Sequence, residues 1–259
     1  RARRRLMGLG IFQQVEMDYE PLSEHERAVV YRLTPSTRQR LQLLAGWGSY
    51  EQARAGFRWT HKNPWGHAHR YTARAKQSFK ATRLQSSYKI PQVFGTDFEA
   101  YSEAEFSTRE EIGFDRSRQG VVTGVSSMLG ASGWRMAVEY GWFAEEADGI
   151  EGSGLDVEDD ALVASLGLSL TLDRRDDPLA PTSGYDVFAK FKTANRLLGG
   201  NVDFQRLQVG GTFHQPLTGS TLLHLALRGG VLLGSQEELP FNERFFSGGE
   251  NSVRGYREG

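Results

Sequence analysis

The sequence predicts an all-β protein of long antiparallel strands, and three observations carry that prediction. From Thr37 onward apolar and polar residues alternate with period two, run after run. Such alternation marks strands with one apolar face and one wet face. The runs are also long. They match the roughly 9–11 residues that a tilted strand needs to cross a bilayer, whereas globular strands average about 5–6. Finally, Trp47, Trp59, Tyr71, Trp134 and Trp142 fall near expected strand ends, as the aromatic girdles of a membrane barrel do. A soluble sandwich also alternates; strand length and the aromatics point to the barrel.

Residues 1–36 read as a separate α+β piece. Leu6 and Leu9, with Ala2, fall on one helical face, and Gly8 or Gly10 can end that helix. Phe12–Glu20 and Arg27–Leu33 alternate loosely around the turn Pro21-Leu22-Ser23-Glu24, which predicts a hairpin.

Residues 37–259 are the β-rich part. Eleven strands are expected, at 37–48, 52–61, 67–80, 84–90, 97–109, 112–127, 133–144, 161–173, 185–194, 202–215 and 221–233. In the first, Leu41, Leu43, Ala45 and Trp47 share a face. The register predicts Phe57, Trp59, Ala104, Leu166, Leu168 and Leu225 toward lipid, and Arg58, Arg74, Glu103 and Ser169 toward the lumen. A slip of one residue would reverse both sets. Connections after even-numbered strands carry turn formers: Asn63-Pro64-Trp65-Gly66, Pro91, Gly130 with Gly133, Pro178 with Pro181 and Gly184, and Pro216 with Gly219. They predict compact turns at one rim and variable loops at the other. The stretch holding Glu145, Glu146, Asp148, Glu151, Asp156, Glu158, Asp159 and Asp160 contains no base and reads as a solvated loop.

Eleven is odd, and single-chain bacterial barrels close with an even number. The sequence therefore reads as an excerpt that stops before closure, and its opening on Arg1 rather than Met agrees. No apolar run is long enough for a signal peptide or a membrane helix.

Composition and motifs exclude several functions. A net charge of −1 gives no support for nucleic-acid binding, which wants a basic surface. With no cysteine there are no disulfides, zinc thiolates or thiol catalysis. No H-E-x-x-H, G-x-S-x-G or phosphate loop occurs, so no enzyme is expected. His67 and His69 supply two imidazoles, short of the three protein ligands a zinc site wants, so no metal is expected. The bases Arg70, Arg74, Lys76 and Lys80 are expected to pair across the lumen with Glu99, Glu103 and Glu105; the alternative is a charged pore.

The last stretch reads Leu239-Pro240-Phe241-Asn242-Glu243-Arg244-Phe245-Phe246-Ser247-Gly248-Gly249-Glu250-Asn251-Ser252-Val253-Arg254-Gly255-Tyr256. The aromatic pair Phe245-Phe246, the double glycine Gly248-Gly249 and Val253-Arg254-Gly255-Tyr256 stand at set offsets. They resemble the hallmark loop of the outer-membrane assembly barrels of the BamA/TamA family, also called bacterial surface antigens. The stretch Asp173 to Tyr185 is similar to that family's turn between its eighth and ninth strands, carried here by Asp176, Asp177, Pro178, Pro181 and Gly184. The strand count independently puts it there. Arg5 to Phe12 and the hairpin after it are similar to the end of a POTRA module, the periplasmic domain that precedes such barrels.

The resemblance implies a transmembrane antiparallel β-barrel of about sixteen strands, about eleven of them here in residues 37–259. Residues 1–36 would be the C-terminal part of the last POTRA domain. It implies an assembly factor that inserts or translocates proteins at the outer membrane, with no cofactor. The first strand, with Leu41, Leu43, Ala45 and Trp47, would pair with clients. Arg254 would sit in the lumen against an acid beyond residue 259. Implied partners are outer-membrane lipids, unfolded outer-membrane protein clients and, through POTRA in the periplasm, accessory lipoproteins or an inner-membrane partner. A two-partner secretion transporter would share the loop motif, and a porin-like channel is the broader alternative.

Overall fold

The computed structural model describes residues 2–23, 26–48, 51–111, 114–149, 158–234 and 239–245. Helix α1 (Ala2–Gly8) leads into a hairpin of β1 (Phe12–Pro21) and β2 (Arg27–Pro35), packed around the buried Val15. Ten further pairings join eleven strands into one antiparallel sheet, each strand bonded to the next in chain order. They are β3 (Gln39–Gly48), β4 (Gln52–Lys62), β5 (Arg70–Ser78), β6 (Ala81–Ile90), β7 (Phe98–Glu110) and β8 (Phe114–Met128). There follow β9 (Trp134–Gly149), β10 (Glu158–Asp173), β11 (Gly184–Ala194), β12 (Phe204–Thr218) and β13 (Thr221–Gly234). Among the described residues β3 and β13 are the two edges and do not pair with each other. The expected strand number and order hold, and the sheet is open.

Register fixes the two faces. Residues directly opposite across a pair point the same way. Trp59 stands opposite Ala73, Ala104 opposite Val121, Trp142 opposite Ala164, and Leu168 opposite Phe191. One continuous apolar face results, and it carries Phe57, Trp59, Ala104, Leu166, Leu168 and Leu225. Many of its side chains, Phe57, Leu166, Leu168 and Leu225 among them, are exposed, because only the bilayer would cover them. Arg58, Arg74, Glu103 and Ser169 lie on the opposite, polar face.

Chain entry at β3 defines a near rim, and the even-numbered turns of the count above lie along it. Residues 63–69, 91–97, 129–133, 174–183 and 219–220 make those turns. Helix α1 meets one of them: the Gln92 side chain donates to Arg5 O (2.6 Å), and Arg5 donates to Gly95 O and approaches Asp97 (4.0 Å).

Several expectations need correction. At the far rim β5 and β6 are joined by residues 79–80 alone, as short as any near-rim turn, so loop length does not sort cleanly by rim. Of the acidic stretch, Glu151 and Asp156 lie outside the described residues, and the other six acids are in strands. Glu145, Glu146 and Asp148 belong to β9, and Glu158, Asp159 and Asp160 belong to β10. Backbone pairing continues beyond the apolar band, where side chains meet water or partners. Glu145 is buried beside Arg118 (3.1 Å) and is not a solvated loop acid. With β9 running to Gly149, Trp142 lies mid-strand rather than near an end. Pro216 lies within β12, at a register shift that tolerates its missing donor. The acids of β7 pair with β6 rather than across the lumen: Lys89 with Glu99 (3.2 Å), Arg83 with Glu105 (3.6 Å), and Gln85 with Glu103 (3.3 Å). Opposed side chains on adjacent strands are about 5 Å apart, so neighbours meet first.

Candidate functional site

The site is built from the segment after β13 and the polar wall it rests on. Residues 239–245 cross the polar face at the far rim. Leu239 packs on an apolar cluster of Ala161, Val163, Ala194, Val202 and Phe204. Pro240 is fully buried. The segment then makes a single 3-10 turn, Phe241–Glu243, closed by Glu243 N donating to Pro240 O (3.0 Å). That turn aims the Glu243 carboxylate at the wall.

Glu243 is 2% exposed. Lys192 of β11 donates to one oxygen, and Arg206 Nη1 of β12 to the other (2.9 Å). Burial alone pushes the carboxyl up, but Lys192, Arg118 and Arg206 hold it below its ordinary value of 4.5. Hydrogen bonds between charged groups in such a setting are the strong ones, about 1.5–3 kcal/mol each. Phe245 completes the contact. Its ring lies 4.7 Å from the Arg206 guanidinium and occupies the space over Gly230, where a Cβ would collide with it. Asn242 donates to Ser117 O of β8 (3.4 Å), and Arg244 ties the segment to Leu239 O (3.1 Å).

The near-rim turn is a second ordered feature. Asp176 accepts from the Thr182 hydroxyl, Ser183 N (3.1 Å), Thr182 N (3.0 Å) and Asp177 N (3.0 Å). These donors hold its carboxyl well below the usual carboxylate range, the Thr182 hydroxyl first. Asp177 accepts from Leu179 N (2.7 Å), so Pro178 rides inside an Asx turn, with Pro181 following. Gly184 has φ +99 and faces Arg174 O, a place closed to a side chain. Arg174 in turn donates to Ser132 O (2.6 Å) of the neighbouring turn.

Leu41, Leu43, Ala45 and Trp47 lie together on the apolar face of β3, opposite Trp59, Phe57, Ala55 and Ala53. Of the hallmark loop, Phe245 is placed as described; Phe246, Gly248, Gly249, Val253, Arg254, Gly255 and Tyr256 lie outside the described residues. Glu243 was not singled out from sequence. Its signal was an acid set among aromatics, with cations alternating at Lys192 and Arg206 far along the chain.

The matches to known proteins meet this geometry. The Omp85 superfamily domain model matches residues 63–259. The chain belongs to the Omp85 superfamily. A curated relative, outer membrane protein assembly factor BamA of Neorickettsia risticii, is 23% identical over 98% of this chain and 35% of its own length. This chain thus spans about a third of that relative. The crystal structure of BamA from Haemophilus ducreyi lacking POTRA domains 1–3 superposes with TM-score 0.79 at 15% identity, over 100% of this chain and 53% of that one. CdiB from Escherichia coli gives 0.65 at 16% identity, over 98% and 52%, and CdiB from Acinetobacter baumannii 0.63 at 14%, over 97% and 50%. The resemblance to BamA/TamA-family barrels read from the loop motif agrees with these matches. Omp85 proteins are assembly and transport barrels, not enzymes.

Proposed function

We propose that this chain is the membrane part of an outer-membrane protein assembly factor. It inserts client β-barrels into, or translocates proteins across, the bacterial outer membrane by strand pairing at the seam that β3 borders. One observation carries the reading: the edge of β3. It runs Gln39–Gly48 with no proline, and no strand pairs along its outer side among the described residues. Its free N–H and C=O groups are a template for an incoming strand.

Residues 1–36 act as the end of a POTRA domain, which turns the near rim toward the periplasm. Unfolded outer-membrane clients and membrane lipids are the partners at the barrel. Accessory lipoproteins or an inner-membrane partner would bind through POTRA. Arg254 pairs in the lumen with an acid beyond residue 259. The curated relative and the best-fitting structure reported above are both named BamA, which favours assembly over two-partner secretion or porin-like transport.

Photo-crosslinkers at Leu41, Leu43, Ala45 and Trp47 should capture nascent barrel proteins in cells. Capture confined to positions 150–157 would contradict the reading.

A further inference from the structure

We propose that Glu243 is the positioning residue of the hallmark loop, and that Lys192 and Arg206 form a cationic socket in the lumen wall built to receive it. The proposal rests on the reading of this chain as an assembly barrel. Lys192 and Arg206 stand directly opposite each other on β11 and β12. Like charges so placed repel. Their outer neighbours in the same row are Gly167 and Leu232; the Glu139 side chain leans over Gly167, but among the described residues neither cation forms an ion pair with it. Among the described residues the two cations share one carboxylate, and it comes from the loop stem. The wall therefore carries a charge conflict that the docked stem resolves.

The shape of the socket agrees. Lys192 takes one carboxylate oxygen and Arg206 the other, so both acceptors of Glu243 are used. Gly230 leaves the hollow that Phe245 fills, and Arg206 touches both Glu243 and the Phe245 ring. Leu239 anchors the start of the segment on the apolar cluster. The stem thereby reaches β8, β11, β12 and β13 at once and fixes where residues 246–259 begin. Glu243 acts on function only through that loop.

The test uses the full-length protein in outer-membrane vesicles. Trypsin cleavage at Arg254 and Arg257 is timed beside heat-modifiability of the barrel and beside client assembly. Glu243→Gln should raise the cleavage rate about tenfold or more while the barrel stays heat-modifiable, because a buried cation pair has lost its acid. Glu243→Lys should raise it further. Adding Lys192→Glu to Glu243→Lys should restore protection, a rescue that bulk packing would not give. Gly230→Val, which displaces Phe245 and leaves the charges, should give a smaller rise. Unchanged cleavage in both Glu243 variants overturns the proposal, as does failure of the charge swap to restore protection. Loss of the folded barrel in Glu243→Gln also overturns it, since Glu243 would then hold the wall and not the loop. An exposed loop with normal client assembly supports the positioning role and contradicts the assembly reading instead.

Discussion

Strands β10 and β3 each have backbone that no strand covers, and the fold treats the two differently. β11 pairs with β10 only from Ser165 to Asp173. Beyond that point the connection 195–203 takes a strand's place. Asn201 N donates to Leu162 O (2.9 Å), and the Asn201 side chain accepts from Leu162 N (2.7 Å). Gly200 sits so close that a Cβ would come within 2.5 Å of Leu162 O. Ala161, Val163 and Ala164 are buried there. Among the described residues β3 has no such cover, and it is exposed along its length except at Gly48. An unpaired edge is a liability that proteins usually blunt. Among the described residues a loop covers the free backbone of β10, while the outer edge of β3 carries no such loop.

The contrast can be broken at either end. The largest effect is expected for Leu168→Pro, which removes a ladder hydrogen bond in a strand paired on both sides. Loss of the bond and an orphaned carbonyl should cost about 2–4 kcal/mol in urea unfolding. Proline in β3 at a position whose N–H faces the open edge should leave unfolding nearly unchanged and abolish client capture. Gly200→Val should follow, prising the cap from Leu162 and Ala164 at a cost of about 1–3 kcal/mol. It should also give Leu162 a capacity for strand capture that it lacks in the parent.

Acid should sharpen the picture at the loop stem. The Glu243 carboxyl titrates below its ordinary 4.5 when docked, so its contribution is intact above that value and lost as pH falls through the lower docked value. A spin label at Arg244 should keep its neutral-pH mobility down to about pH 5 and loosen only in stronger acid. The smallest effect is expected for Arg5→Ala. Its pair with Asp97 is long and exposed, worth at most about 0.5 kcal/mol. Unfolding should not move, while the distance distribution between labels at Glu20 and Trp65 should broaden.

The sheet was legible in the sequence because a bilayer outside and a polar lumen inside force period two on every strand. Ala164 to Leu172 shows it without a break. Strand ends were less legible. The Glu145 to Asp160 stretch looks like solvent-exposed loop, yet pairing continues above the apolar band, where charge no longer opposes a strand. Pro216 looks like a turn, yet a bulge absorbs it. Glu243 was hidden for another reason. Its partners lie 51 and 37 residues away, on strands whose register decides whether the three meet at all. The cap on β10 depends likewise on where β11 stops short.

The chain has no native cysteine, which makes disulfide trapping the most direct test of the central claim. Single cysteines at Leu43 in β3 and at Leu162 in the capped part of β10 would be offered to a client barrel carrying one cysteine in its terminal strand. The account predicts rapid trapping at Leu43, confined to one client register, and none at Leu162. Equal trapping at the two positions, or trapping at Leu162 alone, would contradict it.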